Sequence, residues 1–167
     1  DRQFYFGKPS DVPIVGDFDG DGCDTVSVFR PSQQRKYNIN ELGDADTGLG
    51  AADYFFEFGN PSDIPFVGDF DGDGIDEIGI YRGATRKVYL KWDLAGGAAD
   101  AEFSFGEPGD IPIAGDWNGD GIDTVALYRP SNGYWYFTSS HTGGSADHAV
   151  HFHDHDDITL PVAGHIG

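Results

Sequence analysis

The chain has little cysteine, little cationic charge and no long hydrophobic run. Of its 167 residues, one is cysteine, none is methionine, and ten are lysine or arginine against 29 aspartate or glutamate. The single cysteine, Cys23, excludes an internal disulfide, and its counterparts Ile75 and Ile122 favour a small apolar role for it. The formal net charge of -19 argues against nucleic acid or an anionic membrane surface as a partner. No apolar run is long enough to cross a membrane as a helix.

Helical periodicity and targeting signals are also missing. No segment spaces its apolar residues as an amphipathic helix does, and no amino-terminal segment has the features of a signal peptide. The first residue is Asp1, which we interpret as the start of a mature, processed or excised chain. Thirteen Phe, eight Tyr and three Trp argue against disorder, because disordered chains carry few aromatic residues.

The sequence does contain an acidic, glycine-rich loop in three copies. They read GDFDGDGCD, GDFDGDGID and GDWNGDGID, and their first aspartates are 52 and then 47 residues apart. A repeat period near 50 residues is typical of propeller blades and other stacked arrays. We therefore predict a single domain of three repeat units and a partial fourth. The domain spans 1–167, and its units lie at about 4–52, 53–100, 101–147 and 148–167.

Each unit is predicted to hold four short strands and no helix. A short apolar run precedes the acidic loop, a segment rich in β-branched residues follows it, and two further runs complete the unit. Glycine, proline, aspartate and serine separate the runs. The first set of four runs lies at 14–15, 25–29, 36–42 and 54–58, the last of them at the start of the second unit. This pattern predicts an all-β fold, a β-propeller-like array of four-stranded blades with three full repeats plus a split fourth.

The fourth unit is incomplete. It starts at Phe152 and stops where the acidic loop should begin, with His165 in place of the first aspartate. We expect the chain to open with a last strand, at 4–6, and to close with a first strand, at 160–164. Unpaired strand edges are templates for association, and complementary edges at the two ends favour head-to-tail pairing between copies. Such pairing can grow a filament.

The acidic loops carry the residue types that bind a hard cation. Counted from the first aspartate of each loop, positions 1, 3 and 5 are carboxylates or an amide, position 6 is glycine, and position 7 offers a backbone carbonyl. This order is typical of calcium loops, and a donor set made only of oxygen favours Ca²⁺ over zinc or copper, with Mg²⁺ second. We predict about three structural Ca²⁺ ions, the third held more weakly because Asn118 replaces an aspartate. The candidate metal ligands are Asp17, Asp19, Asp21, Cys23 and Asp24 in the first loop, Asp69, Asp71, Asp73, Ile75 and Asp76 in the second, and Asp116, Asn118, Asp120, Ile122 and Asp123 in the third.

The units resemble FG-GAP or VCBS-type repeats, the blades of integrin α-subunit propellers and of many secreted bacterial proteins. The resemblance covers nearly the whole chain and rests on the GDFDGDG-type loops, the strands ending VSVFR, IGIYR and VALYR, and the Phe-Gly pairs that begin at Phe6, Phe58 and Phe105. It implies a β-propeller, calcium in the loop between the first two strands of a blade, and a secreted or cell-surface location.

One departure from the family concerns the residue that closes the loop. The integrin-like loop ends with aspartate at position 9, where this chain has Thr25, Glu77 or Thr124. An aspartate stands at position 8 instead, in all three copies. These position 8 residues either supply the closing carboxylate or cap the turn without touching the ion.

Four histidines crowd the segment 148–155. They are His148, His151, His153 and His155. The segment is either a transition-metal site or pH-sensitive joint, or a polar copy of the fourth-strand motif. We favour the second reading, because histidine content alone predicts metal binding poorly.

Two other recurring features are interpreted as structural. Arg30, Arg82 and Arg129 end the second strand of each unit, where we expect them to neutralise nearby carboxylates and bond to neighbouring turns rather than bind a ligand. The aromatic run 134–137 is expected to pack between blades rather than to stack on sugars.

No catalytic constellation stands out, and no serine lies in a GxSxG setting, so we expect a protein that is not an enzyme. We predict an extracellular calcium-binding structural or adhesion repeat protein that self-assembles with other copies or binds an extracellular protein or glycan. Nucleic acid and membrane insertion are not expected. The alternative is a carbohydrate-binding, lectin-like propeller module of a secreted polysaccharide-active protein.

Overall fold

Three antiparallel sheets make up the described part of the chain. The structure is a computed structural model and describes residues 5–40 and 51–151. Within these ranges all of the regular structure is β-strand, and no helix is long and apolar enough to cross a membrane. This confirms the predicted all-β class.

Each sheet has four strands in sequential order, every strand antiparallel to its neighbours. The first sheet contains β1 (Val12–Gly16), β2 (Thr25–Arg30), β3 (Arg35–Asn38) and β4 (Tyr54–Glu57). The second contains β5 (Ile64–Gly68), β6 (Glu77–Arg82), β7 (Lys87–Leu90) and β8 (Ala101–Ser104). The third contains β9 (Ile111–Gly115), β10 (Thr124–Arg129), β11 (Tyr134–Phe137) and β12 (His148–His151). The four-stranded unit is therefore confirmed three times over.

The predicted strands at the two ends of the chain are not confirmed. The segment 4–6 lies partly outside the described residues, and residues 5 and 6 are not in a strand. The segment 160–164 lies wholly outside them, as do His153, His155 and His165. The strand β12 occupies the fourth-strand position of the third sheet, as expected for a polar copy of that motif.

The sheets stack in chain order. Their first strands are neighbours, with β1 beside β5 and β5 beside β9. One apolar core lies between the first and second sheets and includes Phe29, Phe56 and Ile80. A larger one lies between the second and third sheets and includes Tyr81 and Leu127. The described residues do not form a closed ring, so the propeller stays a prediction.

The Phe-Gly pairs lead the chain from one sheet into the next. Gly106 has φ +80°, and a Cβ built on it would lie 2.2 Å from Leu127 Cδ1 in β10. A side chain is thus excluded both by backbone conformation and by space. The glycine lets the turn before β9 pack directly on the second strand of the new sheet.

The recurring arginines are structural, as predicted. Arg82 donates from Nε and Nη2 to Asp63 at 2.8 Å for both, and its guanidinium lies 4.6 Å from the centre of the Tyr89 ring. The Asp63 carboxylate also accepts the N–H of Asn60, so that one ion pair joins the turn before the sheet to its second strand. The equivalent pairs are Arg30 with Asp11 and Arg129 with Asp110.

A lysine lies in the core beneath the first sheet. Lys36 is 0% exposed, its Nζ has no hydrogen-bond partner among the described residues, and it lies 3.5 Å from the centre of the Phe18 ring. Burial holds the pKa of Lys36 well below its ordinary value of 10.5, against the opposing pull of the Asp76 and Glu77 carboxylates. At the same position the second sheet has Val88, which suits the apolar core.

Breaking one of the arginine pairs should destabilise the fold. We expect Arg82→Gln to lower the free energy of unfolding by about 3 kcal/mol, because it leaves the buried Asp63 carboxylate without its counter-charge. Urea unfolding measures this. The control is Arg35→Gln, whose partner Glu57 is 64% exposed on its side chain, so little change is expected. Equal losses in the two variants would contradict the structural role of the buried pair.

Replacing the buried lysine should stabilise the fold in a pH-dependent way. We expect Lys36→Met to raise the free energy of unfolding at neutral pH by about 2 kcal/mol, because an unsatisfied buried donor is removed. Between the lowered pKa of Lys36 in the folded protein and the ordinary value of 10.5 in the unfolded chain, only the unfolded chain binds the proton. The free energy of unfolding of the wild-type protein should therefore rise with pH over this range. The advantage of the variant should shrink over the same range.

Urea unfolding at several pH values measures this advantage. Lys87→Met is the control, since Lys87 is exposed and pairs with Glu102. A gain that does not vary with pH would contradict the neutral state of Lys36.

Candidate metal centre

Each acidic loop joins the first and second strands of its sheet. The three loops lie between β1 and β2, between β5 and β6, and between β9 and β10. The apolar first strand and the β-branched second strand anchor the loop at both ends. All three loops therefore occupy the same place in successive sheets.

The first aspartate of each loop holds the turn closed. Asp17 Oδ1 accepts the N–H of Gly20 at 2.8 Å, and Oδ2 accepts that of Gly22 at 2.8 Å. Asp69 and Asp116 repeat both contacts at 2.7 and 2.9 Å. The N–H donors, that of Gly121 foremost, lower the pKa of Asp116. The Asp116 carboxylate is thus kept ionised at neutral pH.

The glycine at position 6 is required by the backbone. Gly22, Gly74 and Gly121 have φ of 84°, 89° and 85°, a region that side chains disfavour. The next residues, whose carbonyls were the position 7 candidates, donate their N–H groups to the position 5 aspartates. These bonds join Cys23 to Asp21, Ile75 to Asp73 and Ile122 to Asp120, at 2.8, 2.9 and 3.0 Å.

Two loops bring three carboxylates together. In the first loop, Asp17, Asp19 and Asp21 each offer an oxygen within 4.8 Å of the others. In the second loop, Asp69 and Asp71 do so together with Glu77. Calcium–oxygen distances are about 2.4 Å, so oxygens up to about 4.8 Å apart fit around one ion. Each cluster can therefore hold a single metal ion.

The sequence interpretation did not include Glu77 among the ligands. Glu77 stands at position 9 and begins β6, where it is 1% exposed, and its Oε2 accepts the N–H of Phe70 at 3.1 Å. Burial, reinforced by the charges of Asp71 and Asp69, raises its pKa to about 8. The signal in the sequence was the acidic residue at this position, where the other two copies have threonine.

The threonines at position 9 point into their sheets. Thr25 donates its hydroxyl to the carbonyl of Ile39 at 2.6 Å, and Thr124 donates to that of Thr138 at 2.7 Å. Neither hydroxyl is directed to the loop. The first and second loops therefore assemble their clusters from different positions.

The third loop differs again. Asn118 donates from Nδ2 to Asp120 at 2.9 Å, and within the described residues no third carboxylate joins Asp116 and Asp120. The weaker third site predicted from Asn118 remains a prediction.

The position 8 aspartates of the second and third loops, Asp76 and Asp123, lie against the preceding loop. Asp24, in the first loop, makes no such bond in the described part of the chain. Asp76 accepts the N–H of Asp17 at 2.8 Å and donates its own N–H to the Asp17 carbonyl at 2.7 Å. Asp123 makes the same two bonds to Asp69, at 3.3 and 2.8 Å. Burial foremost raises the pKa of Asp76 to about 6. These residues join adjacent sheets.

The glycine before each loop makes room for this joint. A Cβ on Gly68 would lie 2.7 Å from both the Ala114 Cβ and the Asp123 Oδ2 of the third sheet. Gly16 has the same relation to the second sheet, 2.7 Å from Val67 and 2.6 Å from Asp76. The repeated Gly-Asp dipeptide thus encodes close approach between sheets as well as the loop itself.

The described histidines and the aromatic run 134–137 lie outside the two carboxylate clusters. His148 and His151 lie in β12, and no described histidine belongs to a cluster of three metal-ligating side chains. Tyr136 packs against the core between the second and third sheets, as expected. Trp135 and Phe137 are half-buried on the outer face of the third sheet, which no other described sheet covers.

Comparison with known proteins yields no relative of this chain. No protein family, curated protein or solved structure matches it. The resemblance to FG-GAP and VCBS repeats therefore rests on the motifs alone. Function has to be inferred from the loops themselves.

Adding a methyl group to the glycine before an acidic loop should destabilise the protein more where that glycine packs against the next sheet than on the outer face of the third sheet. We expect Gly68→Ala to lower the free energy of unfolding by about 2 kcal/mol, because the new methyl group overpacks the second and third sheets. Gly115→Ala is the matched control, since the three atoms nearest to its Cβ position all belong to the Trp117 ring of the same sheet, at 2.7 to 3.0 Å. Thermal unfolding measures both. A larger loss from Gly115→Ala would contradict the assignment of the interfaces.

Proposed function

We propose that the chain is a calcium-stabilised extracellular repeat protein with a structural or adhesion role, and that it is not an enzyme. The observation that carries the proposal is the pair of three-carboxylate clusters at the same strand junction in successive sheets. Calcium in such loops would act on the fold rather than on a substrate.

The electrostatics of the loops support a bound divalent cation. Carboxylates a few ångströms apart repel one another, and the chain carries a net charge of -19 before any ion binds. Backbone N–H groups satisfy the first aspartate of each loop, but Asp19 and Asp71 receive little of this help. A cation at each cluster would offset the repulsion directly.

The choice of calcium follows from the donors and their setting. Every candidate ligand is an oxygen, and all except Glu77 lie in the glycine-rich turns between strands. Calcium accepts six to eight oxygens in adaptable geometry, whereas Mg²⁺ demands a tight octahedron and retains its water. Calcium is therefore the ion of choice for these loops.

The position of the clusters supports a structural role. They recur at successive sheet junctions, close to the bonds that Asp76 and Asp123 make between sheets. An ion that binds the folded form alone stabilises it by mass action. Kinship with FG-GAP or VCBS repeats and secretion belong to the same proposal and rest on the loop motifs. A propeller arrangement also belongs to it, and the stacking of the sheets through their first strands supports that arrangement.

A second candidate function is glycan binding. Trp117 is 39% exposed on the outer face of the third sheet, and its ring centre lies 5.1 Å from that of Phe137. Exposed aromatic rings of this kind stack on sugars. A carbohydrate-binding module of a polysaccharide-active protein would use this face, and binding of a monomer on a glycan array would favour it.

Calcium removal should lower the stability of the protein. At a free Ca²⁺ concentration 100 times the dissociation constant, each site contributes about 2.7 kcal/mol, so the melting temperature should fall on chelation. Isothermal titration should give at least the two sites of the first and second loops. We expect Asp19→Asn and Asp71→Asn each to weaken one site.

Two control variants sharpen this test. Glu107→Gln removes an exposed carboxylate outside the loops and should leave binding unchanged. Asp76→Asn should also retain calcium binding, because Asp76 lies against the preceding loop. An unchanged melting temperature with excess chelator, together with no heat of binding, would overturn the proposed function.

A further inference from the structure

The third sheet exposes side chains that the other two sheets bury against their successors. Phe18 and Phe70 are 3% and 1% exposed, whereas Trp117 at the same loop position is 39% exposed. Val150 in β12 is 40% exposed, although its counterparts in β4 and β8 are 7% exposed. With Trp135 and Phe137, these residues form the outer face of the third sheet. Apart from His148, which pairs with Phe137, that face is apolar and aromatic.

The first sheet shows the opposite exposure. Val15 is 53% exposed, while Ala114 at the same position of the third sheet is 8% exposed. Pro13 is likewise exposed where its counterpart Pro112 is buried. The side of the first sheet that includes Pro13 and Val15 is its outer face. It corresponds to the surface with which the second and third sheets cover their predecessors.

The two outer faces also carry, one on each, the polar groups that hydrogen-bond to each other where two adjacent sheets meet. Asp24 stands at position 8 of the first loop and is exposed, with no bond to another sheet among the described residues. The N–H of Asp116 in the third loop is the counterpart of the N–H groups that donate to the Asp76 and Asp123 carboxylates, and it too has no such bond within the described ranges. Tyr81 donates its hydroxyl to the Glu107 carbonyl at 2.8 Å across the second joint.

From these two complementary faces we propose that the outer face of the third sheet binds the outer face of the first sheet of a second copy of this chain. The contact repeats the sheet-to-sheet interface that the chain already builds twice. Asp24 of one copy accepts the N–H of Asp116 in the other, and the Tyr128 hydroxyl donates to the carbonyl of Lys8. The proposal deepens the scaffold role and rests on it for its purpose, but the contact does not require calcium.

One detail of the intermolecular contact differs from the internal ones. The Trp117 ring lies over Gly115, 2.7 Å from the position of a Cβ, and its Nε1 donates to the Thr124 carbonyl at 2.9 Å. Val67 and Ala114 fill this place over the glycines of the first and second sheets. Val15 of the second copy therefore lies against the indole ring instead. Trp117 should report association through its fluorescence.

A second copy accounts for both outer faces, whereas a glycan accounts for one. A sugar would explain the exposed rings of Trp117 and Trp135, but not the exposure of Val15 and Asp24 on the opposite side of the stack. The two faces are different surfaces, so the contact is heterologous and leaves a free half at each end of a dimer. The net charge of -19 opposes association, so added salt should strengthen it by screening.

The test is sedimentation velocity of the full chain over a range of concentrations and salt. The mean mass of the wild-type protein should rise with both. We expect Val15→Asp alone and Val150→Asp alone to be monomeric, because each variant has lost one of the two faces of the contact. Their equimolar mixture should form a 1:1 complex, because each variant keeps the face that the other has lost. Phe55→Asp is the control: Phe55 is 54% exposed, and its counterpart Glu102 is exposed even where a preceding sheet is present.

Several outcomes would overturn the proposal. A mass that stays monomeric at every concentration, or a mixture of the two variants that forms no complex, would do so. Glycan binding by a monomer that Val150→Asp abolishes would assign the face to sugar. A fall in the melting temperature of a monomer on Val150→Asp would show that the chain covers this face itself.

The same experiment separates this proposal from the calcium proposal. Both variants are run with Ca²⁺ and with chelator. Complex formation in the mixture without any effect of chelator on melting would sustain the contact and overturn the calcium role. A melting temperature that falls on chelation, in a chain that stays monomeric, would sustain the calcium role and overturn the contact.

Discussion

The structure depends on the first aspartate of each acidic loop. The carboxylate of Asp17 closes its own turn through the N–H groups of Gly20 and Gly22. Its backbone N–H and carbonyl pair with Asp76 of the next sheet, and Asp69 is paired in the same way with Asp123. One residue thus fixes both the loop and the distance between sheets. The preceding glycine has to be without a side chain because this joint brings the two backbones close together.

The other acidic residues of the loops have roles that depend on their position. Those at positions 3, 5 or 9 assemble the carboxylate clusters, and those at position 8 form the joint. This division concentrates negative charge where two sheets meet, and burial raises the pKa of both Asp76 and Glu77. A divalent ion at the clusters would relieve that cost at the place where the stack is held together. The proposed calcium role and the sheet stacking are therefore two consequences of one arrangement.

Much of the fold could be predicted from sequence, because its determinants are local. Alternating β-branched segments predicted the strands, and the Gly-Asp loops predicted the junction between first and second strands. The role of Glu77 was missed because two of three repeats have threonine at that position. The partner of Asp76 depends on how sheets stack, which no local pattern contains. The burial of Lys36 was missed because lysine is rarely buried without a partner, although its counterpart Val88 indicates an apolar position.

The most direct measurement is a crystal structure of the protein grown in Ca²⁺. The account predicts one ion among Asp17, Asp19 and Asp21 and another among Asp69, Asp71 and Glu77, with Asp76 still bonded to the N–H of Asp17. An ion ligated by Asp76 or Asp123, or no ion at either cluster, would contradict the claim that the loops separate ion binding from the joint between sheets.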